Sequence, residues 1–90
     1  MLIGFLMIED NNTYLLGHKM DLTHTERRIL HSIANKNEQS AEELTSLLRA
    51  GAKRENVSAH INSINNKAKR ISGRKLIIFG QRKYKLNPYM

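Results

Sequence analysis

The stretch Arg54–Ile71 reads RENVSAHINSINNKAKRI. Val57, Ile61, Ile64, Ala68 and Ile71 recur in it at i, i+4, i+7, i+11 and i+14. That spacing stacks them on one face of an α-helix. At about 100° per residue, the opposite face carries Glu55, Ala59, Asn62, Asn66, Lys69 and Arg70, flanked by Ser58, Ser63, Asn65 and Lys67. One side is a core seam. The other is rich in amides and cations, with small residues that permit close approach. Two readings are open: the solvated face of a core helix, or a helix that lies in a DNA major groove. In such a groove Asn can pair with adenine, and Lys or Arg with guanine or phosphate.

The segments on either side bear on that choice. Downstream, residues 75–79 (KLIIF) read as a strand, and Lys83–Leu86 (KYKL) alternates as its returning partner. Gly80-Gln81-Arg82 connects them, so the hairpin projects Arg82 and Lys83, with Lys75 and Lys85 beside them. The helix stops near Ser72-Gly73, and Pro88 ends the last strand. Upstream, Ser40-Ala41-Glu42-Glu43 is a capping box. It opens a short helix with Ala41, Leu44, Leu47 and Leu48 inward, and Gly51 is placed to end it. Thr23-His24-Thr25-Glu26 is another capping box, starting a helix that runs to about Asn35 with Ile29, Leu30, Ile33 and Ala34 as its stripe. The run Asn35–Gln39 is polar and breaks the two helices.

The chain opens with strands. Residues 3–8 read as the first, with Gly4 marking a bulge or a close backbone approach. Glu9-Asp10-Asn11-Asn12 is a turn signal. Thr13–Leu16 is a second strand, Gly17-His18 a hairpin connection, and Lys19–Leu22 a third strand. The predicted fold is α+β: a winged helix-turn-helix with a small N-terminal antiparallel sheet (1–22), three helices (23–72) and a C-terminal β-hairpin wing and tail (73–90), in one domain spanning 1–90. In this arrangement the second helix of the pair reads the major groove, while the hairpin reaches an adjacent groove or the backbone.

Charge follows the same division. Residues 1–40 carry four Lys/Arg against five Asp/Glu, and residues 41–90 carry eleven against three. The overall +7 is therefore concentrated in the half that holds the long helix and the hairpin. That asymmetry is the electrostatic footprint of a phosphate binder, of nucleic acid or of anionic lipid. Without cysteine there is no disulfide and no Cys-ligated zinc. The apolar opening MLIGFLMI lacks a basic leader and is too short to span a bilayer, so no targeting signal is visible and a cytoplasmic protein without membrane contact is expected. His18, His24, His31 and His60 have no metal spacing. No nucleophile–base pair, Gly-rich phosphate loop or carboxylate pair is visible. Neither catalysis nor a cofactor is expected.

With these motifs in place, the chain resembles the DNA-binding effector domain of OmpR/PhoB-type response regulators from about Ile3 to Leu86. The family's junction "L-T-x-x-E, then a Leu four later" is matched by Leu22, Thr23, Glu26 and Leu30. Its recognition-helix pattern "V-x-x-H-I-x-x-L-R-x-K" is matched by Val57, His60, Ile61 and Lys67, with Ile64 for the Leu. Where the family closes its hairpin with "G-Y-R-L", this chain has Lys83-Tyr84-Lys85-Leu86, and the wing glycines become Gln81 and Lys83. Asn65 stands where the family usually has Arg, and Gly80 replaces the common wing Arg. The resemblance implies a two-component transcription regulator that binds duplex DNA, with two copies head to tail on direct repeats. In relatives the loop before the recognition helix, here Arg49–Lys53, can touch RNA polymerase.

The candidate DNA-contacting residues are Ser58, His60, Asn62, Ser63, Asn65, Asn66, Lys67, Lys69, Arg70, Arg82 and Lys83. Asn62 and Asn66 are the candidates for base contact, Lys67, Lys69 and Arg70 for phosphate or solvent, and Arg82 and Lys83 for the minor groove or phosphate. His60 is either a phosphate contact or a half-buried helix histidine. Glu26 is read as a capping partner, and Tyr84 as core. Two rival readings stand beside DNA binding. One is a winged helix that docks on polymerase or another regulator, suggested by the few arginines on the helix. The other is shape-led RNA binding.

Overall fold

A computed structural model describes residues 2–9, 12–48 and 50–88, and of residues 2 and 3 the backbone alone. Strands β1 (Leu2–Ile3), β2 (Leu6–Glu9), β3 (Asn12–Leu15) and β4 (His18–Lys19) form an antiparallel sheet in the order β1-β2-β3-β4. Helix α1 (His24–Lys36), strand β5 (Glu38–Gln39), and helices α2 (Ala41–Thr45) and α3 (Arg54–Ser72) follow. Strands β6 (Ile77–Gly80) and β7 (Lys83–Leu86) close the chain in a second sheet ordered β5-β7-β6. This is the winged-helix fold expected from the sequence.

The first sheet turns earlier than its sequence suggests. Residues 3–8 are not one strand: the chain reverses at Gly4-Phe5, so that Ile3 faces Leu6 and Leu2 faces Met7. Gly4 takes a left-handed φ of 50° there, which glycine adopts without steric cost. The next hairpin turns at Leu16-Gly17 rather than Gly17-His18, pairing Leu15 with His18. Both turn residues have positive φ, as a two-residue turn of this hand requires. The connection at Asp10-Asn11 lies outside the described residues. Period-two alternation then buries Leu6, Ile8, Thr13 and Leu15 on one face.

Helix α1 begins on its expected capping box. The Thr23 N–H donates to Glu26 Oε1 at 2.8 Å, and the Glu26 N–H donates to Thr23 Oγ1 at 3.2 Å. Ile29, Leu30, Ile33 and Ala34 are its buried stripe. Past Lys36, Asn37 at φ 69° turns the chain into β5. The sequence reading has no strand here. Glu38 and Gln39 form one by pairing with Lys85 and Tyr84 of β7. The buried Gln39 accepts a hydrogen bond from Ser32 through its side-chain oxygen.

Helix α2 also starts on its capping box, Ser40 with Glu43. It stops at Thr45, well short of Gly51. Thr45 Oγ1 donates to the Ala41 carbonyl and Ser46 Oγ to the Glu43 carbonyl, both at 2.6 Å. The Ser46 hydroxyl satisfies a carbonyl that another helical turn would have used, and the Thr45 hydroxyl back-bonds to the first carbonyl of the helix. Gly51, at φ 85°, therefore belongs to the connection and does not cap α2. Arg49, the first residue of that connection as read from sequence, lies outside the described residues.

Helix α3 starts with the Lys53 N–H donating to Asn56 Oδ1 at 2.8 Å. It ends at Gly73, whose left-handed φ of 76° lets its N–H reach the Lys69 carbonyl at 2.8 Å. Val57, Ile61, Ile64 and Ala68 are buried as its spacing demands, and Ile71 is half-buried. They join Leu6, Ile8 and Leu15 of the first sheet, Ile29, Leu30 and Ile33 of α1, Leu44 of α2, and Leu76 and Ile77 at the start of the hairpin in one core.

Candidate nucleic-acid interface

The core seam fixes the rotation of α3 and so decides which polar residues face solvent. Ser58, Ala59, Asn62, Asn66, Lys69 and Arg70 are exposed along one face. The Asn62 and Asn66 amides have no side-chain partner among the described residues. Lys69 and Arg70 occupy the last turn, where the negative end of the helix dipole favours cations. His60 is half-buried and shares a groove of about 570 Å³ with Thr25, Arg28, Ser46 and Asn56.

Three of the expected contact residues are engaged inside the protein. Asn65 is 6% exposed. Its Oδ1 accepts from the backbone N–H groups of Leu76 at 3.0 Å and Ile77 at 2.8 Å, and its Nδ2 donates to the Ile77 carbonyl at 2.9 Å. The amide thus ties α3 to the start of the hairpin, and its hydrogen bonds are spent inside the protein. The expectation that Asn65 touches DNA is corrected accordingly. Lys67 turns inward, with Nζ donating to Glu26 Oε1 at 2.6 Å, and Ser63 is half-buried on the side of the same carboxylate, whose pKa it helps to lower. Neither belongs to the exposed set.

Glu26 therefore does more than cap α1. Its burial works to raise its pKa. The hydrogen bonds from Lys67, Ser63 and the Thr23 N–H, with the Lys67 charge, outweigh that and hold it below the ordinary carboxylate value. It remains an anion that fixes α1 against α3. Burial, with the nearby Arg27 charge, lowers the pKa of His31, whose Nε2 lies 3.1 Å from Thr13 Oγ1 and links α1 to the first sheet.

The hairpin stands beside the exposed face of α3. Tyr84 on β7 brings its hydroxyl within 3.3 Å of Ser58 Oγ. At the tip, Gln81 and Arg82 have φ of 53° and 64° and connect Gly80 to Lys83 in a two-residue turn. Both residues adopt a conformation that glycine or asparagine would take more readily. Arg82 and Lys83 are exposed there, and the Arg82 guanidinium has no partner among the described residues. The Glu43 carboxyl, close enough to feel Lys83 and Lys36, is held low chiefly by the Ser40 N–H. Arg54, at the start of α3, pairs with Glu42 of α2.

One prominent residue had no role in the sequence reading. Phe79 is 59% exposed, directly opposite Tyr84, with ring centroids 4.8 Å apart and planes at 57°. Its alternation with buried Ile77 marks it as a core residue. The strand, however, runs beyond the core before reaching it.

Among the described residues, no group of three or more His, Cys, Asp or Glu could hold a metal, and no helix is long and apolar enough to cross a membrane. No protein-family model matches the chain, and no curated protein sequence matches it. Among solved structures, the fold is similar to the DNA-binding domain of the response regulator AdeR, crystallised in complex with an intercistronic region. The TM-score is 0.81 at 18% sequence identity, over 97% of this chain and 98% of that one. The likeness establishes the fold.

Proposed function

We propose that the chain is a sequence-specific DNA-binding domain of a bacterial transcriptional regulator, of the kind that two-component response regulators carry. One observation carries the reading: the exposed face of α3 presents unengaged amides and cations beside a wing whose tip presents Arg82 and Lys83. Helix α3 lies in the major groove. Asn62 and Asn66 reach base edges, where a bidentate pair with adenine contributes about 1–3 kcal/mol of discrimination. Ser58 and His60 border that face, and Lys69 and Arg70 hold phosphates. Arg82 and Lys83 meet the neighbouring minor groove or backbone. The similarity to a domain solved on DNA supports this, and so does the concentration of positive charge in residues 41–90. Two copies head to tail on a direct repeat, in a bacterial cytoplasm, complete the proposal.

The test is selection of bound sites from random duplex DNA, followed by titrations of the recovered site across a range of salt. Binding weakens steeply as salt rises, because Lys/Arg–phosphate contacts release counterions. Asn62→Ala relaxes preference at a single base pair, and Arg82→Ala weakens binding on all sites. If no sequence is enriched and neither substitution alters binding, the DNA reading fails and a protein-docking role takes its place.

A further inference from the structure

Phe79 lies between the two elements to which the proposed function gives contacts. On one side it lines a cleft of about 500 Å³ with Ser58 and Asn62 of α3 and Lys75. On the other it lines a cleft of about 660 Å³ with Gln81, Arg82, Lys83 and the Arg54–Glu42 ion pair. Its ring is therefore an apolar ridge with Lys75 on one side and Arg82 and Lys83 on the other, while the Arg54 charge is already matched by Glu42. It rests on Tyr84, which is itself hydrogen-bonded to α3 through Ser58. An exposed aromatic ring normally costs solubility, and on a wing strand it packs no core. Its charged surroundings suit a polyanion and repel a basic partner.

When a helix occupies the major groove and a wing tip reaches the adjacent minor groove, the sugar–phosphate strand between the grooves passes between them. That strand offers phosphates to cations and deoxyribose C–H faces to an apolar group. We propose that Phe79 packs its ring on the deoxyribose wall of the duplex, flanked by phosphate contacts from the surrounding cations. This rests on the DNA reading above and adds to it a contact that is apolar and independent of counterions.

The two kinds of contact separate in a salt titration on the selected site. A cation–phosphate contact contributes to the slope of log K against log salt, whereas an apolar contact leaves the slope unchanged. Phe79→Ala lowers affinity about tenfold, since burying most of a phenyl ring contributes on that order, and its slope equals that of the wild type. Phe79→Leu, which keeps an apolar body, recovers most of the loss. Arg82→Ala lowers affinity and reduces the slope by about one. Circular dichroism and thermal melting confirm that each variant is folded, as expected for a ring that is 59% exposed.

If Phe79→Ala binds like the wild type while Arg82→Ala is impaired, the Phe79 contact is refuted and the DNA reading survives. If Phe79→Ala flattens the slope, the ring acts by holding the cations, and the apolar contact is likewise refuted. If the wild type itself binds no duplex, the DNA reading has failed at its own test and this contact falls with it.

Discussion

Asn65→Ala removes a buried side chain that fastens α3 to the base of the wing. The native amide makes three hydrogen bonds, two accepted from the N–H groups of Leu76 and Ile77 and one donated to the Ile77 carbonyl. Those two residues are 0% and 2% exposed, so water reaches their backbone poorly. Each buried group left without a partner costs about 1–3 kcal/mol. With partial rescue by water entering the vacated space, the loss is about 3–4 kcal/mol. That is a large share of the roughly 5–15 kcal/mol that holds a domain folded. Urea unfolding monitored by circular dichroism reads it as a fall in the midpoint Cm with the slope m unchanged. Native-state hydrogen exchange adds a local check, because the Leu76 and Ile77 amides lose protection ahead of the α1 amides. Asn65→Asp keeps both accepted bonds but faces the Ile77 carbonyl with an oxygen, and it falls between wild type and Ala. A change below about 0.5 kcal/mol for Asn65→Ala, the range of ordinary surface substitutions, would refute the clamp.

Three further outcomes follow from other sites. Replacing Gln81-Arg82 by Asn-Gly relieves two left-handed non-glycine residues; melting shows a gain of about 1–2 kcal/mol, while DNA affinity falls and its salt slope drops by about one. Lys67→Met leaves the 3%-exposed Glu26 carboxylate without its cation; urea unfolding shows a loss of about 2–3 kcal/mol, below the full range for a buried pair because Lys67 is 26% exposed. The double change with Glu26→Gln recovers part of it. Glu26 also sets an acid limit. Its folded pKa lies below its unfolded value, so its contribution is complete above the unfolded pKa near about 4.3 and is lost as pH falls through the lowered folded value. Wild-type Cm therefore declines on acidification below about pH 4.3, and Glu26→Gln flattens that decline.

Periodicity and capping chemistry were readable because they are local. The α3 seam, both capping boxes and the Gly73 stop each depend on residues a few positions apart, and the structure has all of them. Non-local pairing was hidden. Glu38-Gln39 carries no strand pattern and becomes one only because β7 lies alongside. Asn65 looked like its neighbours Asn62 and Asn66 on a helical wheel, being at the edge of the polar face. Only the course of the chain after Gly73 brings Leu76 and Ile77 over it. Lys67 was equally ambiguous, since its partner Glu26 is 41 residues away. In the two N-terminal hairpins, Gly17 flagged its turn, whereas Gly4 reads as a bulge within a single strand and is in fact a turn residue. The register then depended on which neighbour shared the turn, and Leu16 in a left-handed conformation is a residue that local preference argues against.

Strand β5 has a mechanical consequence. Gln39 and Phe79 both pair with Tyr84, from opposite sides. The two ends of the helix pair are thus pinned to the same rung, about two strand spacings apart. Helix α3 and the wing cannot splay or pinch without disturbing that rung. On the proposed DNA reading, a duplex held by such a rigid caliper would itself supply the adjustment, and stiff and pliable base steps would differ in energy even where no side chain reaches them.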